Sequence, residues 1–231
     1  MDLTRFKALS FDCYGTLIDW ETGISALLGP WAREHGVDAG EEALLLAYGD
    51  QEAAVEHDTP AARYPDVIAE AFRRMGASLG APVSDEWARR LGESVPDWPA
   101  FPDSAEALGR LQRRFKLAPI TNCDDDLFAR SAERLGVDFD WVITAQQAQC
   151  YKPSRGPFDL AFETIDAPRE RILHVAQSLF HDHVTAKELG MTTVWIDRRG
   201  DRAGSGATPP AEARPDLRLP DMRSLADMAE A

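Results

Sequence analysis

The hydrophobic rhythm of the chain changes twice. Residues 7–11 form a short, largely apolar run ending in β-favouring positions, and Cys13-Tyr14-Gly15-Thr16 then breaks it. That is the pattern of a buried strand spilling into a tight loop. From about Glu21 to Val95 the apolar positions recur with a helical period, and no convincing strand intervenes. Ile24, Leu27, Leu28 and Trp31 form one stripe; Leu44, Leu45, Tyr48 and Val55 a second; Val67, Ile68, Ala71, Phe72, Met75 and Leu79 a third. Trp87, Leu91 and Val95 mark a shorter helix with Ser84 placed to cap it. Such stripes bury one another when the helices pack together.

Pro96, Pro99 and Pro102 punctuate the end of this stretch, and Asp103 with Glu106 has the spacing of a capping box opening a helix through Leu108 and Leu111. The period then switches repeatedly. Strands are expected at 117–121, 141–144, 172–176 and 193–196, and helices at 127–135, 158–165 and 184–189. Residues 201–215 read as a surface loop and 225–229 as a closing helix. Alternation of this kind calls for a parallel sheet with helices on both faces. The expected fold is α/β: a doubly wound, Rossmann-like core of residues 1–18 and 100–231, interrupted by a helical cap at 19–99.

Composition narrows the function classes. At 231 residues, 44% of them hydrophobic, the chain supports a core without staples. A formal net charge of -14, with no basic run, excludes nucleic acid and anionic membrane surfaces as partners and leaves a small molecule or a protein. Cys13, Cys123 and Cys150 are widely spaced and form no paired motif, which fits a reducing compartment. With no signal-peptide pattern and no membrane-length apolar run, the expectation is a cytoplasmic protein.

The chemistry gathers at one edge of the sheet. Asp12 follows the first strand, and in an open α/β sheet ligands bind at the carboxyl ends of the strands. The same edge receives Thr121 and Asn122 after the second strand, Lys152 beyond the third, and Gln177, Ser178 and Asp182 after the fourth. Taken singly, each has a plain reading: Thr121 and Asn122 open a turn, Lys152 is a loop lysine, and Asp182 caps a helix. Taken together they mark a site.

Phe11-Asp12-Cys13-Tyr14-Gly15-Thr16-Leu17, Thr121-Asn122, Lys152-Pro153 and the stretch from His174 to Asp182 follow one another in the order and spacing of four motifs. In this the chain resembles the haloacid dehalogenase superfamily. Tyr14, two positions after Asp12, is similar to the L-2-haloacid dehalogenase branch. The resemblance implies an aspartate nucleophile, Asp12, that forms an ester later cleaved by water. Lys152 is expected to hold Asp12 ionised, and Asp182 to position or deprotonate the water. Thr16, Thr121 and Asn122, with the amides of Cys13 and Tyr14, are candidates to hold the substrate carboxylate or the ester oxygen; Ser178 and Gln177 support them. The phosphatases of the superfamily use Mg2+ and a second acid two positions after the nucleophile. Here that position is Tyr14, and the place of a further acid is Gln177. The implied reaction is therefore displacement of halide from a 2-haloacid with neither metal nor cofactor. A magnesium-dependent small-molecule phosphatase and a non-catalytic small-acid-binding descendant are the alternatives.

The chain also departs from that branch. No arginine stands at Ala47-Tyr48-Gly49-Asp50, where a halide-receiving arginine is typical, and Phe158 replaces a tyrosine; Arg63 and Arg33 are candidates for the missing charge. Tyr48, Trp20, Trp98 and Phe101 are candidates to line a pocket at the hinge. His181 and His183 read as surface or packing residues. A homodimer through the cap helices is the resemblance's further implication.

Overall fold

Ala8–Phe11 are buried without exception and form β1, as expected of a parallel strand covered on both faces. The computed structural model describes residues 1–200, 202 and 206–231. After β1 come four helices, α1 (Trp20–Glu34), α2 (Glu41–Asp58), α3 (Tyr64–Ser78) and α4 (Asp85–Gly92). The chain then alternates through α5 (Ser104–Leu111), β2 (Lys116–Thr121), α6 (Asp125–Leu135), β3 (Ile143–Thr144), the single turn α7 (Ala145–Ala148) and α8 (Gly156–Thr164). It closes with β4 (Ile172–Ala176), α9 (Val184–Glu188), β5 (Thr192–Ile196), β6 (Leu217–Leu219) and α10 (Met222–Glu230).

The sheet runs in the order β3-β2-β1-β4-β5-β6, and every pairing is parallel. β1 therefore lies between β2 and β4, with Phe11 level with Pro119 on one side and Val175 on the other. This is where successive connections change direction, so the carboxyl ends of β1, β2 and β4 open on one crevice. Among the described residues, no helix is long and apolar enough to cross a membrane.

Several expectations are corrected. Asp103 makes no capping bond to α5; its Oδ2 accepts the Met222 amide at 2.8 Å and its Oδ1 the Arg198 guanidinium at 2.7 Å, tying α10 and the β5 end to the start of α5. A long-range partner has displaced the local one. The third strand shrinks to Ile143–Thr144. β6 escapes the sequence pattern because Leu217–Leu219 is a three-residue strand at the sheet edge, too short to establish a period. In the expected surface loop, Asp201 and 203–205 lie outside the described residues, but Gly206, Ala207 and Thr208 are buried rather than exposed. They run beneath the helices: the Ala207 amide donates to Glu21 at 2.9 Å, and its carbonyl lies where a Cβ on Gly49 of α2 would sit. Arg199 binds Glu21 of α1 and Glu42 of α2 at 3.2 and 2.5 Å.

The four helices pack through their stripes, with Trp31 edge-on to Phe72 at 5.2 Å. Gly23 on α1 lies against the indole of Trp98, which is 2% exposed and cannot retreat. Gly23→Ala should gain up to about 1 kcal/mol of helix propensity but lose about 1–3 kcal/mol to the overlap. We expect a net destabilisation, read as a lower urea midpoint at unchanged slope.

Candidate active site

The turn after β1 is set by the Cys13 carbonyl, which accepts the amides of Leu17 and Ile18 at 2.7 and 3.0 Å. Gly15 adopts φ = 96°, a conformation that favours glycine. The turn brings Thr16 back under Asp12, so that its Oγ1 donates to Asp12 Oδ2 at 2.6 Å and accepts the Gln177 amide at 2.8 Å. One hydroxyl thus joins the ends of β1 and β4.

Lys152 approaches from the opposite side. Its Nζ donates to Asp12 Oδ1 at 3.0 Å, to Asp182 Oδ1 at 2.7 Å and to the Ile120 carbonyl at 2.7 Å. Those bonds use all the protons an ammonium has. Asn122, just beyond β2, fixes the lysine's backbone: Oδ1 accepts its amide at 2.7 Å and Nδ2 donates to its carbonyl at 3.0 Å. Asp182 sits in a π-helical turn, Leu179–His183, between β4 and α9. His174 of β4 reaches the same Asp182 oxygen through Nε2 at 3.1 Å, with Nδ1 3.0 Å from Ser10 Oγ.

One ammonium shared between two buried carboxylates cannot favour both equally. Burial works against the Lys152 charge, but Asp12 and Asp182 outweigh it, and the group stays protonated well beyond the ordinary range. Burial also opposes ionisation of Asp182, yet Lys152 and the His174 bond hold it far below the usual carboxylate value. For Asp12 burial wins: Lys152 and Thr16 pull downward, Asp182 adds to the rise, and the carboxyl ends above its ordinary value. Lys152 thus acts on Asp12 in the expected direction, and burial outweighs it.

The donor set does not suit a magnesium ion. The ammonium already bridges Asp12 and Asp182, while Gln177 and Tyr14 supply a neutral amide and a phenol. Among the described residues, no group of three or more His, Cys, Asp or Glu is placed to hold a metal.

Over this floor lies a cavity of about 30 Å³. Asp12, Tyr14, Asn122, Lys152, Ser178 and His181 line it from the sheet side; Trp20, Glu52, Glu56 and Tyr64 line it from the helices, and Thr208 from the loop after β5. Of the other residues singled out in the sequence, Thr16 and Asp182 support the floor. The Cys13 side chain is buried in the core, and Thr121 turns its hydroxyl to Cys123 Sγ at 3.8 Å. The Gln177 side chain faces a neighbouring cavity of about 320 Å³, beside Phe101 and Arg198. Tyr48 stands behind the wall and donates to Glu52 Oε1 at 3.3 Å. Trp98 packs edge-on to Tyr14 at 5.6 Å, and Phe158 edge-on to His174 at 5.3 Å.

Neither arginine candidate supplies a cavity cation. Arg63 is spent on Asp124 and Asp126 at 2.6 and 2.8 Å, and Arg33 is exposed on α1. His183 is a packing residue, buried with Nε2 2.9 Å from the Ala176 carbonyl. His181 is not: it faces the cavity with Nε2 3.6 Å from Glu56 Oε2.

Sequence reasoning missed Glu52, Glu56, Tyr64, His174 and Thr208. The first two had a readable sign. Tyr48, Glu52 and Glu56 repeat every four residues on the face that carries Leu45 and Val55, so two acids stand inside an apolar stripe. Tyr64 donates to Glu52 Oε1 at 2.9 Å, and Asn122 Nδ2 to Glu56 Oε1 at 3.2 Å.

Comparison with known proteins agrees with this geometry. A model of the family described as haloacid dehalogenase-like hydrolase matches residues 6–190. An (S)-2-haloacid dehalogenase of Pseudomonas putida is 26% identical over 215 residues, covering 90% of this chain and 93% of that protein. The structure of L-2-haloacid dehalogenase from Xanthobacter autotrophicus with chloropropionic acid covalently bound has a TM-score of 0.78 at 20% identity, over 98% of this chain and 99% of that one. A Bacillus subtilis chain described as a HAD-hydrolase, bound to magnesium, has a TM-score of 0.76 at 15% identity, over 98% and 100%. These structural likenesses show the fold.

Removing the ammonium isolates two buried carboxyls. Lys152→Met should cost roughly 3–5 kcal/mol at neutral pH. With the cation gone, both folded-state pKa values rise above their unfolded values, so the native state binds more protons and the deficit shrinks as pH falls. Urea unfolding of variant and wild type at pH 5 and pH 8 measures this; an equal deficit at both would contradict the charge assignment.

Proposed function

Because the chain belongs to the haloacid dehalogenase-like hydrolases, we propose that it hydrolyses a 2-haloacid through an ester on Asp12 and without a divalent ion. The observation that carries this reading is the donor set at Asp12: Lys152 lies against Asp12 and Asp182 at 3.0 and 2.7 Å, and Tyr14 and Gln177 offer a phenol and a neutral amide in place of further carboxylates.

In the first step an oxygen of ionised Asp12 attacks the carbon bearing the halogen. The new C–O bond forms as the C–X pair leaves with halide, which needs no proton. In the second step water adds to the Asp12 carbonyl carbon, the bond from that carbon to the ester oxygen breaks, and the departing alkoxide takes up one proton of that water while the water oxygen stays on Asp12. One proton passes to solvent, giving RX + H2O → ROH + H+ + X−. Asp182 suits the second step as the group that orients water: it is held ionised, Lys152 and His174 fix its Oδ1, and its Oδ2 has no hydrogen-bond partner.

The helices between residues 19 and 99 act in this reading as a cap. A cavity of about 30 Å³ holds only a few water molecules, so an organic acid enters when helices and core separate, and closure then excludes bulk water during attack.

We expect halide release from 2-chloropropionate or a bulkier 2-haloacid with EDTA present. Asp12→Asn should lower kcat by at least on the order of 10⁴-fold, and Asp182→Asn should accumulate an ester on the peptide containing Asp12, visible by mass spectrometry. Since burial holds the Asp12 carboxyl above its ordinary value, turnover should rise with pH until that carboxyl is ionised. Phosphate release from small esters that is abolished by chelation would overturn the reading in favour of a phosphatase. No ester and no turnover across both substrate panels would leave a small-acid-binding protein.

A further inference from the structure

An anion that enters this cavity meets an unusual set of donors. Among the described residues, the only lysine or arginine on its wall is Lys152, whose protons are already committed to Asp12, Asp182 and a carbonyl. The Tyr14 hydroxyl is engaged with Ser131 Oγ at 2.9 Å, and the Asn122 amide with Glu56 and the Lys152 carbonyl. The helices add two more acids, Glu52 and Glu56, both less than one-tenth exposed. Were both ionised beside Asp12, the wall would repel the carboxylate of a haloacid and the halide it releases alike.

The bonding around Glu52 resolves the conflict. Its Oε1 accepts from two phenols, Tyr64 at 2.9 Å and Tyr48 at 3.3 Å. Both phenols are spent on Oε1, so a proton taken up by this buried carboxyl sits on Oε2, the oxygen these clamps leave over. We propose that Glu52 works as a neutral carboxylic acid whose Oε2–H donates a hydrogen bond to an anion in the cavity, the carboxylate of the substrate or the departing halide. The proposal rests on the ester-forming reading above, and it names the group that recognises the substrate's charge.

The surroundings favour that state. Burial raises Glu52 well above its ordinary value; Glu56 adds to the rise, while the bonds from Tyr64 and Tyr48 offset part of it. Both tyrosines are themselves pushed upward by burial and by Glu52, so they stay phenols and stay donors. The other charged or titratable groups facing the same space are Asp12, Lys152, Tyr14 and His181 on the sheet side, with Tyr151 in the loop after α7 close enough to feel Glu52. None of them places a spare cation against Glu52.

The test is binding of 2-chloropropionate, and of chloride alone, to the non-turning Asp12→Asn protein by calorimetry between pH 5 and pH 9. Affinity should fall by about tenfold per pH unit once Glu52 ionises. Glu52→Gln, which keeps a neutral donor, should lose that dependence. Glu52→Ala should bind about ten- to hundredfold more weakly at low pH. Tyr64→Phe removes a bond that stabilises the ionised form, so the midpoint should move to higher pH, a shift that a packing role would not produce. If chloride follows the same profile the donor serves the halide; if only the organic acid does, it serves the carboxylate, and either result supports the proposal. Glu52→Ala binding as tight as the parent's at low pH, or a parent pH dependence that Glu52→Gln retains, would overturn it. The two readings fail separately: a wild type that releases no halide but shows the Glu52-dependent binding sinks the reaction, whereas turnover without that binding pattern sinks the donor.

Discussion

The structure depends on a single buried ammonium. Lys152 sits in a loop beyond β3, yet it bonds to the first residue after β1, to the backbone of β2 and to the turn after β4. Without it those loops would hold carboxylates from different parts of the chain in a nearly dry space, and the crevice at the switch point would be electrostatically untenable. With it, the same carboxylates are tied into one floor. The acidity of Asp12 is set by a competition in which burial outweighs the pull of Lys152 and Thr16.

The helices complete the site through polar stitches rather than through their stripes. Asp124 of the core, 1% exposed, accepts the Tyr64 amide at 3.0 Å as well as the Arg63 guanidinium, so the start of α3 is capped from outside its own sequence. Tyr151 donates to the Ala62 carbonyl at 2.7 Å on the approach to α3. These bonds place Tyr64, and Tyr64 places Glu52. Such a seam is easier to open than an apolar one, because water can replace each bond as it breaks.

Much of this was legible before the coordinates. The alternation of periods gave the parallel sheet, and Asp12, Asn122, Lys152 and Ser178 come together at the edge where their positions after strands put them. What stayed hidden is what periodicity treats as noise. An acid within an apolar stripe looks like a defect of the stripe, so Glu52 and Glu56 were passed over, although burying them is what shapes the wall. Asp103 has the spacing of a helix cap, but a partner more than a hundred residues away competes for the same oxygens and wins. His174 lies within a strand, and nothing in the period of β4 shows that its ring reaches Asp182. A loop rich in glycine and proline reads as surface, and the burial of Gly206–Thr208 depends on a gap beneath α2 that only folding creates.

That last stretch also builds the enclosure: Thr208 stands on the cavity, and its neighbours brace the two helices that roof it. The floor under the cavity and this part of its enclosure thus come from segments far apart along the chain. A substitution after β5 can therefore redraw the silhouette of the space above Asp12 while the contacts of Lys152 stay as they are.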